Sequence, residues 1–412
     1  MNKVLKYALY ACVGVLAMGN LTSCDNDDPE PTPAGQNDSE LQEIATQYVN
    51  GTVNKTYELL AAETQNLVDK LEALKTSIND GTATDAQIQE VCDVFLKARA
   101  YYETSEAFLF GAATQFGIDP HIDTWPLDVT GLATTLSNPT LIDALNNDED
   151  GTYAGGKLGP DALGFHGIEF TIFRGGKART ASALMGVEDA AEFAGKTVTG
   201  KEEITFATAV AKDLRNRCFQ LEVSWNAEAP ADHMKLVAED LELPVTVNDG
   251  ELSYTQNFLA AGQAGSTYKS WREVMSTILV AGCQNISNEV GNTKMGKPYT
   301  GEDTHYIESP YSENSFTDFH DNMLSIEYSY YGGRADVNTQ DQSKSIHNYL
   351  SKYNPDLDKK VANAISDAIA KIDACPKPFV HNYNNDQVKA AIDACNSLSA
   401  ALIEAADWIS KN

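Results

Sequence analysis

Basic residues are scarce in this sequence. Thirty Lys and Arg stand against 59 Asp and Glu among 412 residues, a formal charge of −29. Nucleic acids and anionic lipid surfaces are bound through clustered positive charge, so this balance argues against both as partners and permits cations. Histidines are also few and dispersed. There are seven, no two are close together, and no HExxH places two zinc ligands and a base on one helical turn. Apart from His166, the others (His121, His233, His305, His320, His347 and His381) read mostly as surface or loop residues. No GxSxG elbow occurs, no cysteine adjoins a histidine, and no CxxC pair suggests a zinc knuckle or redox motif. Arg174-Gly175-Gly176-Lys177 lacks the spacing of a phosphate-binding loop and reads as the end of a helix begun at Pro160. No run shows several alternating strands.

The first residues point to export. Lys3 and Lys6 precede an apolar run, Tyr7 to Met18, too short to cross a ~30 Å hydrocarbon core. Leu21-Thr22-Ser23-Cys24 then has lipobox spacing, which predicts a signal peptide over residues 1–23 and lipidation of Cys24. Several acyl chains at ~0.8 kcal/mol per buried CH₂ make a lasting anchor. Residues 24–38, rich in Asp, Pro and small polar groups, predict a flexible acidic tether. An acidic run after the lipidated cysteine favours the outer membrane, with either leaflet open. Loss of residues 1–23 removes two lysines and moves the formal charge to −31.

Helical periodicity dominates the chain beyond the tether. Ser39-Glu40-Leu41-Gln42 and Thr84-Asp85-Ala86-Gln87 both match a capping box, predicting helices to about Ile78 and about Ala112. Further helices fit Lys201–Trp225, Thr255–Val290, Glu313–Tyr331, Asp356–Ala374 and Asp386–Ser410. Residues 117–157 form a long loop-rich segment of the kind that carries function. The expected fold is all-α: two helical bundles, residues 39–240 and 241–412, divided near Asp240–Gly250. Cys375 and Cys395 could bridge the arms of a helical hairpin, while Cys92, Cys218 and Cys283 read as small buried residues.

One constellation could carry chemistry. In Gly164-Phe165-His166-Gly167-Ile168-Glu169, His166 and Glu169 share a helical face and could reach one ion. Glu103 and Glu106 share another, and Asp119, Asp123 and Asp128 come soon after. Two carboxylates at ~4 Å repel by ~4 kcal/mol at an effective dielectric of about 20. Four or five together therefore need shared protons or a cation. One imidazole with several carboxylates suits iron, manganese or zinc better than calcium.

The GFHGIE run, the preceding SEAFLFG and IDPHIDTWPLD, and the later IESPYSENSFTDFHDNMLSIEYSYYGG together resemble the imelysin-like lipoproteins. That family carries a GxHxxE signature and is classed by name with metallopeptidases. The resemblance implies two bundles related by a pseudo-repeat, with the signature between them, and a link to iron acquisition. A more distant likeness to EfeO-type iron-uptake proteins implies Glu103, Glu106, Asp123, His166 and Glu169 as metal ligands, although Trp125 stands where that group has a different residue. The imelysin pattern implies that Glu308, Ser309, Ser312, Asn314, Asp318 and Asn322 face the same cleft, together with Gly164, Trp125 and Asp128. The expected function is binding of a transition-metal ion, iron first, or of an iron-bearing ligand, for handover to an envelope transporter. A zinc peptidase and a metal-free peptide- or protein-binding module stay open as alternatives.

Overall fold

The computed structural model describes residues 37–412. The expected signal peptide, Cys24 and nearly all of the expected tether lie outside them. Eight helices of nine residues or more carry the described fold: α1 (Asp38–Tyr48), α2 (Lys55–Asp80), α3 (Asp85–Glu103), α4 (Gly164–Ile172), α5 (Gly200–Trp225), α6 (Ser315–Tyr331), α7 (Pro355–Asp373) and α8 (Asp386–Lys411). The architecture is all-α. Strand is confined to a hairpin of β1 (Phe173–Arg174) and β2 (Lys177–Ala178), turned by Gly175-Gly176. The Arg-Gly-Gly-Lys run thus makes a hairpin rather than ending a helix from Pro160, because Pro160–Ala162 forms only a 3₁₀ turn. No helix among the described residues is long and apolar enough to cross a membrane.

The helices form where apolar side chains recur on one face. In α2 these are Leu60, Leu67, Val68, Leu71, Leu74 and Ile78, all buried. Helix α5 is buried almost all round, as a central helix must be, and packs on α2 and α4. Helix α3 packs on α2, α7 on α8, and α6 on both α7 and α3, so α6 joins the later helices to the earlier ones. One apolar core includes Leu67 and Ile168 as well as Ile326 and Leu398. A small second cluster, Ala61, Phe219, Val223, Ala229 and Val237, lies to one side.

Helical backbone runs unbroken from Asp38 to Asp80, through a π-helical stretch at Val49–Asn54. Its two ends serve different neighbours. Helix α1 lies on the short helix Trp271–Ser276, and Arg272 pairs with Asp38. Gln47 Nε2 donates to the Gly332 and Thr339 carbonyls at 2.8 Å each, while α2 packs on α5.

Thr84 makes the capping box with Gln87, but the box at Ser39 does not form; Asn37 sits in the left-handed region and the helix starts at Asp38. Residues 255–290 are broken by a loop containing Gly262 and Gly265, and resume as Trp271–Ser276, a π segment Thr277–Gln284 and Asn285–Glu289. Helix α3 stops at Glu103 rather than Ala112. There the Thr104 and Ser105 hydroxyls donate to the carbonyls of Ala100 and Tyr102, side-chain bonds that compete with continuation of the helix. All five described cysteines are buried free thiols, so Cys375 and Cys395 are not bridged.

Candidate functional site

The stop at Glu103 matters for the site. A 3₁₀ turn follows at Glu106–Phe108, and it holds the Glu106 carboxylate beside that of Glu103. The turn is fixed from outside: the Ala107 amide donates to Ser325 Oγ of α6. A Cβ on Gly282 would stand 2.0 Å from the Ala107 carbonyl, so only glycine lets the π segment come this near.

The loop-rich region supplies the next wall. Asp119–Ile122 make one helical turn, and Asp119 accepts a 2.5 Å bond from the Tyr102 hydroxyl. The turn places Asp123 against α4 because Gly164, at φ +66°, packs on its backbone; a Cβ there would be 2.0 Å from the Ile122 carbonyl oxygen. The first glycine of the GxHxxE run thus sets the spacing between two chain segments. His166 Nε2 lies 3.0 Å from Asp123 Oδ1, and its Nδ1 lies 3.4 Å from Glu169 Oε2. The other Glu169 oxygen accepts from the Tyr311 amide (3.1 Å), the Ser312 amide (2.7 Å) and the Ser312 hydroxyl (2.7 Å). Glu169 therefore fastens the later half of the chain to α4 and orients the His166 ring, as carboxylates behind metal-binding histidines do.

Two cations missed in the sequence sit inside this network. Arg99, 1 % exposed, lies 2.6 Å from both Glu103 and Glu308 and 3.7 Å from Asp318, and also pairs with Asp123. Lys294, 2 % exposed, lies 3.2 Å from Glu308 and 3.8 Å from Glu103 and Glu106. Arg99 could have been suspected, since it stands four residues before Glu103 on a buried face of α3. Nothing local marks Lys294, which arrives from nearly two hundred residues away.

The implied residues of the later half converge here. Asn322 donates to Glu103 at 2.6 Å and accepts from Lys294. Asp318 accepts from Ser309 at 2.5 Å and from Asn314 at 2.9 Å, while Glu308 lies between the two cations. Trp125 covers the edge, its ring 4.2 Å from that of Tyr306 and 6.4 Å from that of His166. Asp128 is not brought in: it is exposed and caps the helix Val129–Leu136 through the Gly131 amide. Among the remaining histidines, His121, His233, His320 and His347 each pair with a carboxylate elsewhere.

Ligand atoms of Asp123, His166 and Glu308 all lie within 4.8 Å of one another, and so do those of Glu103, Glu106 and Asp123. Asp123 belongs to both sets. Burial works against charge at each group, and its balance with the partners decides the outcome. For His166, hydrogen bonds to Asp123 and Glu169 outweigh burial and raise its pKa to about 9. For Asp123, Arg99 and His166 outweigh burial and hold the carboxyl well below its usual range. Burial pushes Glu308 up to about 7 and Asp119 up to about 6, and raises Glu103 and Glu106 well above the normal carboxyl value. The imidazole is thus charged at neutral pH, and a metal reaching Nε2 must replace its proton.

Residues 53–405 match the family model described as Peptidase_M75: Imelysin. The protein named iron-regulated protein A from Synechococcus elongatus is 23 % identical over 357 residues, covering 86 % of this chain and 82 % of that protein. A solved structure titled as a putative iron-regulated protein A precursor, from Parabacteroides distasonis, has a TM-score of 0.72 at 23 % identity, covering 92 % of this chain and 97 % of its own. An imelysin-like protein from Psychrobacter arcticum gives 0.58 at 12 % identity, with 90 % and 95 % covered.

Proposed function

Because the chain belongs to the imelysin family, we propose that it takes part in iron handling by holding iron, as an ion or within a small ligand, at His166, Asp123 and Glu308. The observation that carries this is the convergence of one imidazole and two carboxylates within 4.8 Å, with Glu103 and Glu106 adjoining through Asp123. Such a donor set fits iron, manganese or zinc. Iron comes first because the relative from Synechococcus elongatus is named iron-regulated. Glu169, both of whose oxygens are engaged, orients the imidazole rather than offering a free carboxylate, while Trp125 and the polar residues around Asp318 wall the site. The division into residues 39–240 and 241–412, with the site between, belongs to the same proposal. So does envelope placement: a lipid on Cys24 and an acidic tether would hold the protein on the outer membrane, where it would pass its cargo to a transporter.

Zinc peptidase chemistry fits less well. It needs a general base beside an open coordination position, and both oxygens of Glu169 are engaged. A metal-free binding module has one observation in its favour: Arg99 and Lys294 already compensate much of the acidic charge.

Titration calorimetry of residues 39–412 with iron, manganese and zinc, on wild type and on His166→Ala, tests the proposal. Binding of one ion per chain that is lost in the variant supports it. Absence of binding to wild type by any of the three overturns it.

A further inference from the structure

Lys294 occupies an unusual position for an ammonium group. It closes a π turn, Val290–Lys294, of the kind that interrupts helices at functional sites. Its side chain is 2 % exposed and reaches both candidate ligand sets at once: Glu103 and Glu106 of one, Glu308 of the other. All these contacts are long. Two lie at 3.2 Å, to Glu308 and to Asn322 Oδ1, and two at 3.8 Å. Charge-assisted N–H···O bonds normally close to about 2.7–2.9 Å. Arg99 stands closer, 2.6 Å from both Glu103 and Glu308, although its Nε and the Glu103 oxygen facing it are also buried without a hydrogen-bond partner. A second sign of incomplete satisfaction is the other oxygen of Glu308, buried without a hydrogen-bond partner.

We propose that the Lys294 ammonium is a resident stand-in for a divalent cation among Glu103, Glu106 and Glu308, and that a cationic cargo enters by displacing it. The displacement rests on the iron-handling proposal only for the identity of the cargo. An ammonium on a four-carbon stem can give up its place without moving backbone, whereas a guanidinium clamped between carboxylates cannot. Glu289, half-buried and five residues earlier, adds negative charge near both Lys294 and Glu106. The arrangement makes Lys294 a specificity-determining residue. Cations that bind carboxylates no better than an ammonium does are refused, and those that gain short bonds to several oxygens are admitted.

The test is calorimetric titration with Mn²⁺ and with Zn²⁺ of wild type, Lys294→Met and Lys294→Arg. Removing the ammonium should tighten binding ten-fold or more, and Lys294→Arg should bind no tighter than wild type. Lys294→Met should also melt lower than wild type without metal and gain more from added Mn²⁺. Equal or weaker binding by Lys294→Met overturns the proposal while leaving iron handling intact. A wild type that binds nothing beside a Lys294→Met that binds one ion would sink iron handling by the native site and uphold the stand-in. If neither binds, both fail. Should Lys294→Met not fold, Lys294→Gln, which keeps a donor for Glu308 and Asn322 without the charge, is read by the same criteria.

Discussion

Replacing Arg99 by methionine should destabilise the protein more than any other single loss of charge in the network. Methionine keeps the apolar stem as far as the position of Nε, but not the guanidinium, which lies 5.3 Å from the Phe165 ring. What disappears is the charge facing Glu103, Asp123, Glu308 and Asp318. One such pair at ~4 Å is worth ~4 kcal/mol at an effective dielectric of about 20. Most of that is offset in the native protein by desolvation, but removing one partner leaves the desolvated acids behind. Broken buried pairs cost about 3–5 kcal/mol, and that range is expected here near pH 8. For roughly 375 folded residues at ~2.1 cal/mol/K each, the entropy at the midpoint is near 0.8 kcal/mol/K, so melting should fall by about 4–6 °C. Differential scanning calorimetry at pH 8 reads this directly. Lys360→Met is the control: it breaks a pair whose members are 53 % and 55 % exposed, and such surface pairs contribute about 1 kcal/mol or less. An Arg99→Met protein melting at or above wild type would refute the idea that the guanidinium is the internal counter-charge.

Three further outcomes are expected. Gly164→Ala should cost about 2–4 kcal/mol in urea unfolding and abolish metal binding, because a Cβ would meet the Ile122 carbonyl from a left-handed backbone and push Asp123 from His166. Ser312→Ala removes one of three donors to Glu169 Oε1 and should cost about 1 kcal/mol while weakening metal binding only a few-fold, since the two amides remain. Asp321 has a carboxyl that burial, and next Asp318, raise to about 8, above its unfolded value near 3.9. Its contribution is therefore full below the unfolded pKa and lost as pH rises through about 8, so wild type should lose about 2–3 kcal/mol of that contribution from pH 6 to pH 9. Asp321→Asn should flatten that part of the urea-unfolding profile; an unchanged slope would count against a buried neutral carboxyl.

Long helices with a repeating apolar face were legible in the sequence. Gly200–Trp225 and Asp386–Lys411 agree with expectation to within a residue at each end. What local pattern could not weigh was competition. Thr104 and Ser105 look like ordinary helix interior until their hydroxyls take the Ala100 and Tyr102 carbonyls. The break at Gly262 and Gly265 was marked by its glycines and could have been read. At the site, the need for shared protons or a cation among the acids came from Coulomb's law alone. The form of that cation did not, because Lys294 meets Glu103 only through the tertiary fold. Asp128 illustrates the reverse: an acid next to the right motif, used up by capping a helix.

The continuous rod from Asp38 to Asp80 has a kinetic consequence. It is anchored at one end on the Trp271–Ser276 helix and at the other on α5, while Glu169 is bonded to Tyr311 and Ser312. Fastened along this rod and again at Glu169, the earlier and later helices resist swinging apart. Passage to the buried imidazole then depends on local excursions of side chains such as the Trp125–Tyr306 pair rather than on whole-body motion. On the iron-handling proposal, an ion held this way would exchange slowly in both directions. If that proposal holds, residence time more than equilibrium affinity would govern release, and any contact that loosened the Trp125 edge would hasten it without competing for a single ligand atom.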